Sequence, residues 1–262
     1  MKIIPNTFHL ISLGCAKNLV DSQGLWSLLS QQGFTLVEDP SQAEFIIINT
    51  CGFIHDARQE SLQALQEFSE HKRRGQKLIA AGCLSERYRA ELLASVPGID
   101  GLMGTRDLAD ILPLMRALNE HPQSHSEIYF PGHAHIINHP ELPGYMIQGG
   151  SSYLKIADGC RRSCAFCAIP GIKGTLTSRP KEDIIKDAYA LQAAGIQEIN
   201  IIAQDVTDYG QDFGLTDGLP GLLADLLPAI PQVPWVRLLY TYPGYISDRL
   251  IDMMGEFPQL LP

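Results

Sequence analysis

Apolar and polar positions alternate along this chain on two length scales, short buried runs and longer amphipathic stretches. In the first half FHLISLG (8–14), FTLV (34–37), EFIIINT (44–50), KLIAAG (77–82) and GIDGLMG (98–104) read as strands. Residues 18–33, 56–75, 85–95 and 106–120 read as the helices between them. Asn18 and Ser85 are the expected N-caps, Gly33 a stop and Pro113 a candidate kink. From 151 a second series begins, with strands at 152–159, 197–205 and 235–243 and helices at 179–195, 218–230 and 246–258. There Pro180 opens a helix, Gly195 closes it and Ser247 caps the last one.

Strands that alternate with helices predict parallel α/β sheets. A βα barrel spends roughly 30 residues on each unit, so 151–262 holds the first three to four units of a partial TIM-type barrel. The expected fold class is α/β: an open parallel sheet domain over 6–118, a linker over 119–150, and an incomplete barrel over 151–262. The linker is rich in Pro, Gly and His, with an extended stretch at 127–130. It carries His121, His125, His133, His135 and His139 at irregular spacing, which reads as solvated linker histidines rather than a metal-binding tract.

The length of 262 residues agrees with two domains. No apolar run approaches the ~20 residues of a membrane helix, and the N-terminus lacks the apolar core of a signal peptide. The expectation is therefore a cytoplasmic protein with no membrane partner. A formal charge of -9 disfavours broad phosphate binding, so there is no strong nucleic-acid signal in this chain.

The cysteines change the picture. Cys15, Cys51 and Cys83 each stand directly beyond the carboxyl end of an expected strand. In an open α/β sheet that edge is where ligands bind, so three residues far apart in sequence are expected to converge. The remaining three form C-x3-C-x2-C at Cys160, Cys164 and Cys167, on the loop after the first strand of the second series. Thiolates at this spacing suit zinc or an iron–sulfur cluster, and three of them leave one metal position open. An even cysteine count also fits three disulfides, but disulfides are rare in a reducing compartment.

C-x3-C-x2-C after a barrel's first strand, with the aromatic Phe166 before the last cysteine, resembles the signature of the radical S-adenosylmethionine enzymes. SLGCAKNLVDSQ (12–23), NTCGFIHDARQES (49–61), AGCLSERY (81–88), YLKIADGC (153–160), CAIPGIKGTLTSRP (167–180) and AQDVTDYGQD (203–212) resemble the methylthiotransferase family within that superfamily. The resemblance implies two 4Fe-4S clusters, one on Cys160, Cys164 and Cys167 and one on Cys15, Cys51 and Cys83. It implies S-adenosylmethionine as a second cofactor, cleaved to a carbon radical that removes a hydrogen from an unactivated carbon, which then takes a methylthio group. It also implies a reductase or other electron donor, and a sulfur donor.

Ala16-Lys17-Asn18, Cys51-Gly52-Phe53-Ile54 and Ile169-Pro170 resemble the ribosomal-protein branch, which modifies the β-carbon of an aspartate in the twelfth protein of the small subunit. The tRNA adenosine branch and an inactive metal-binding fragment are the alternatives. Phe166, Gln204 and Asp205 are candidate cofactor-binding residues, because the last two follow a barrel strand's carboxyl end. Loop capping is the competing role for Gln204, Asp205 and Tyr209, and internal pairing for Lys155. Arg179-Pro180 reads as a helix entry and Gly159 as a tight turn. Family members complete the barrel and add a small C-terminal β-domain, called TRAM. Neither is in these residues, so a C-terminally truncated form is expected.

Overall fold

The computed structural model describes residues 3–120, 127–129, 133 and 135–261. It divides into two compact units, Met1–Ile137 with Gly171–Lys173, and Asn138–Pro170 with Gly174–Pro262.

The first unit is a parallel sheet built from β1 (Thr7–Ser12), β2 (Thr35–Leu36), β3 (Phe45–Thr50), β4 (Lys77–Gly82), β5 (Gly101–Met103) and β6 (Glu127–Tyr129). Helices α1 (Ala16–Gln31), α2 (His55–His71), α3 (Cys83–Ser95) and α4 (Ile111–Glu120) connect the strands. Spatial order is β2-β1-β3-β4-β5-β6. The first five strands thus follow the doubly wound order 2-1-3-4-5, whose switch point lies between β1 and β3. β3 is buried at every position, as its unbroken apolar run requires of a strand covered on both faces. Ile46, Ile48, Leu78, Ala80 and Leu102 meet Leu65, Leu84 and Leu92 from the helices in one core.

Two expected caps are replaced. α1 begins at Ala16, and Asn18 lies inside it, its amide donating to the carbonyls of Leu13 (2.9 Å) and Thr50 (3.0 Å). The side chain that would cap the helix is spent joining the ends of β1 and β3. α3 begins at Cys83, which puts Ser85 in the helix and fully buried. Pro113 occupies the first turn of α4, where a missing N–H costs nothing, so it starts the helix instead of kinking it.

The second unit contains β7 (Tyr145–Gln148), β8 (Ser151–Lys155), β9 (Ala157–Asp158), α5 (Ile169–Lys173, whose last three residues pack with the first unit), β10 (Thr177–Ser178), α6 (Lys181–Ala193), β11 (Glu198–Ile202), α7 (Gly218–Ala229), β12 (Trp235–Leu238), α8 (Asp248–Glu256) and β13 (Leu260–Leu261). Its main sheet has the order β13-β12-β11-β8-β7. β8, β11, β12 and β13 are parallel, the first four strands of a barrel-like series. β7 pairs antiparallel with β8, and β9 with β10. Ser247 caps α8 by accepting from Leu250 N at 3.3 Å, as expected.

His121 and His125 lie outside the described residues. The reading of solvated linker histidines is corrected at His133, which is partly buried against Asp107 and Asp110, and at His139, which bonds Glu141 at 3.1 Å. His135 is exposed. His133 meets residues far from it in sequence, so local polarity there does not report exposure.

Candidate metal centres

The sheet register of the first unit brings Cys15, Cys51 and Cys83 to one edge. Ser12 pairs with Asn49 and Thr50 with Gly82, so β1, β3 and β4 end within one residue of one another; Cys51 and Cys83 follow their strands directly, and Cys15 stands three residues beyond Ser12. Side chains at the strand ends fix this edge. Asn49 donates to Asn18 O (3.0 Å) and Ser22 Oγ (2.9 Å), and Ser61 Oγ both accepts from Cys51 N (3.0 Å) and donates to Cys51 O (3.1 Å). Gly14 turns with φ +94°, and a Cβ on it would stand 2.5 Å from the Cβ and 2.9 Å from the Sγ of Cys51. Only glycine lets the Cys15 loop approach that closely.

The three thiols are free, and they feel one another. Burial pushes Cys51 up, and a charge on Cys15 pushes it further. Burial drives Cys83 to about 12, against the opposing pull of the Lys173 ammonium. Lys173 itself is buried and donates to Asp21 Oδ2 at 2.8 Å. Deprotonated sulfur is thus costly here unless a cation accepts it.

In the second unit, β8 and β9 deliver Cys160. Gly159 turns with φ +69°, and a Cβ there would overlap the carbonyl oxygen of Thr175. Cys160 N donates to Gly174 O at 3.1 Å and Cys167 N to Cys164 O at 3.0 Å, which closes the loop. Arg161 clamps Asp208 through two bonds, 2.7 and 2.8 Å long. Arg162 reaches Asp205 (2.9 Å) and Asp208 (3.1 Å), and its guanidinium lies 3.5 Å above the Tyr245 ring. Its backbone N–H points to Cys160 Sγ at 3.4 Å. Burial raises the Cys160 thiol, that N–H opposes the rise, and Asp205, Cys167 and Asp208 add to it.

The other candidate residues divide. Phe166 is 87% exposed at the loop tip. Gln204 Oε1 is buried with no hydrogen-bond partner. Asp205 caps the turn at 206–208 and holds Arg162. Tyr209 is buried and donates to Arg179 O at 2.9 Å, a packing role, and Lys155 pairs with Asp158 at 3.0 Å. Arg179 does more than enter a helix: it pairs with Asp187 at 2.6 Å in the interior. Sequence reasoning missed Arg161, Arg162, Asp208 and Lys173, although Arg161-Arg162 beside Cys160 and the Asp205/Asp208 spacing are visible signals.

Both trios suit iron and sulfur. Three soft thiolates with no disulfide between them are the donor set such clusters take.

Solved structures place the fold in a class. The chain matches the radical S-adenosylmethionine methyltransferase TsrM from Kitasatospora setae with a TM-score of 0.66 at 14% identity, over 96% of this chain and 59% of that one. The class is that of the radical S-adenosylmethionine fold. Residues 7–104 match the family described as "Uncharacterized protein family UPF0004". Ribosomal protein uS12 methylthiotransferase RimO of Roseiflexus sp. (strain RS-1) is 43% identical over 97% of this chain and 57% of its own length. Its counterpart in Chloroflexus aurantiacus is 40% identical over 97% of this chain and 58% of its own. The chain is similar to these methylthiotransferases over nearly its whole length and spans a little over half of theirs.

Proposed function

We propose that this chain carries the catalytic machinery of a uS12 methylthiotransferase, which places a methylthio group on the β-carbon of an aspartate in that small-subunit ribosomal protein. In this reading residues 6–118 form the auxiliary-cluster domain and 151–262 the radical core, joined through 119–150. The setting is the cytoplasm, with an electron donor and a sulfur donor as partners. Cys15, Cys51 and Cys83 hold one 4Fe-4S cluster and Cys160, Cys164 and Cys167 the other. When bound, these groups and S-adenosylmethionine supply the electron, the carbon radical and the sulfur.

The chain's own residues do the positioning. Arg161 and Arg162, fixed by Asp205 and Asp208, hold the loop of the second trio so that its thiolates share one orientation. Gln204, with a buried oxygen free to accept, and exposed Phe166 are the residues proposed to meet S-adenosylmethionine, while Asp205 acts through Arg162. Lys173 offsets negative charge gathered at the first trio.

The observation that carries this reading is the distribution of all six cysteines into two trios, one at the carboxyl ends of the parallel strands β1, β3 and β4 and one on the single loop that follows β8 and β9, in a chain with relatives so named. The test is anaerobic reconstitution with iron and sulfide analysis, on the parent and on the two triple cysteine-to-alanine variants. About eight irons in the parent and about four in each variant are expected. Incubation with uS12, S-adenosylmethionine, sulfide and a reductant should then add one methylthio group, read by mass spectrometry. Zinc in place of iron, or modification of tRNA and not of uS12, would overturn the proposal.

A further inference from the structure

Asp107, Asp110 and His133 of the first unit present one ligand atom each within a sphere where all lie less than 4.8 Å apart. None of them belongs to a cysteine trio. His133 Nε2 stands 3.6 Å from Asp107 Oδ2 and 3.7 Å from Asp110 Oδ1. These separations are too long for hydrogen bonds. They are close to the separation of two ligands that share one ion, since N and O donors at about 2.1 Å in tetrahedral geometry stand about 3.4 Å apart.

The second observation concerns the imidazole. Nε2 of His133 is inaccessible to solvent and has no hydrogen-bond partner. A buried ring nitrogen without a partner is costly, and a metal ion is one of the groups that satisfies it.

The site is built by its surroundings. Asp107 begins the short turn Leu108–Asp110 by accepting from Ala109 N at 2.8 Å, which leaves both carboxylates on one side of it. Arg106 donates to His133 O at 2.7 Å, and its own carbonyl accepts from Ile137 N at 2.7 Å, so His133 and Ile137 are both tied to Arg106. Asp110 is 8% exposed. Burial raises its pKa to about 6, the neighbouring Asp107 adds to the rise, and His133 opposes it. Glu86 adds further negative charge and is itself engaged by Arg89 and Arg106. Crowded carboxylates beside an imidazole are electrostatically suited to a divalent cation.

We propose that Asp107, Asp110 and His133 form a binding site for a divalent first-row metal ion, with three protein ligands and the remaining positions open to water. The donor set is oxygen and nitrogen only, which suits manganese, iron or zinc and sets it apart from the thiolate trios. Bound there, the ion ties the chain at His133 to the turn that begins α4.

Mn2+ is the probe, because thiolates are poor ligands for it and the result is independent of whether the cysteines carry iron. Binding is followed by loss of the free-ion electron paramagnetic resonance signal, on the parent, Asp110→Asn and His133→Gln. One saturable Mn2+ per chain is expected, at least tenfold weaker in each variant. Mn2+ should also raise the thermal midpoint of the parent and not of the variants. His133 is partly exposed and makes no hydrogen bond through Nε2, so an unchanged circular dichroism spectrum for His133→Gln identifies lost binding as a lost ligand. No saturable binding by the parent, or equal binding by parent and both variants, overturns the proposal and leaves an ion-paired histidine.

Discussion

Lys173 donates to the carboxylate of Asp21 across 2.8 Å, and the two side chains are 2% and 5% exposed. The partners are 152 residues apart in sequence, yet both belong to the first unit. Removing one member of a buried pair strands the other charge, which costs about 3–5 kcal/mol, whereas replacing both with apolar groups costs far less. Lys173→Met is therefore expected to lower unfolding stability in urea by about that amount, and Lys173→Met/Asp21→Leu to recover most of it. A loss under about 1 kcal/mol for the single variant would show the pair to be incidental.

Gly159→Ala places a methyl group against the Thr175 carbonyl at a φ that alanine resists. The cluster loop must then shift. Reconstituted Gly159→Ala is expected to lose the iron of the second trio and keep that of the first, read by iron analysis beside the Cys160/Cys164/Cys167 variant. Full iron content would mean the loop tolerates the shift.

Cys83 titrates at about 12 in the folded chain, raised by burial from an ordinary value of 9.0. A thiol with a raised folded pKa contributes stability at pH below its unfolded value. That stability is lost as pH climbs towards the folded value. The metal-free protein should accordingly lose stability between about pH 9 and 12, and Cys83→Ala should lose less over that window. Tyr209, also raised to about 12 by burial, titrates in the same range, so the difference between parent and variant is the quantity to measure. Parallel pH curves would contradict the burial of Cys83.

Tyr209→Phe separates a packing role from a cofactor role. The hydroxyl donates to Arg179 O in the interior, and its loss is expected to cost about 1 kcal/mol in a denaturation experiment. Iron content should stay unchanged. A fall in iron loading would place Tyr209 at the cluster after all.

The edge that gathers Cys15, Cys51 and Cys83 was legible because each apolar run stops at its cysteine, and strand ends are set by local pattern. β8, β11 and β12 of the second unit were legible from their apolar runs, whereas the two-residue β13 was not. Helix starts were not: Asn18 and Ser85 look like caps locally, but the sheet claims Asn18 for Leu13 and Thr50. β7 escaped notice because four residues between glycines and prolines carry little periodic signal. Lys173 with Asp21, and His133 with Asp107 and Asp110, are long-range encounters that no window of sequence contains.

The near-level ending of β1, β3 and β4 has one more consequence. A slip of one residue between β3 and β4 would move Cys83 by about 3.3 Å along the strand and turn alternate side chains to the opposite face. Any cofactor that needs all three sulfurs can enter only after both strand pairings have found their native alignment. Cofactor insertion therefore acts as an inspection step on the folding of the sheet, accepting chains that are correctly paired and leaving misaligned ones unloaded.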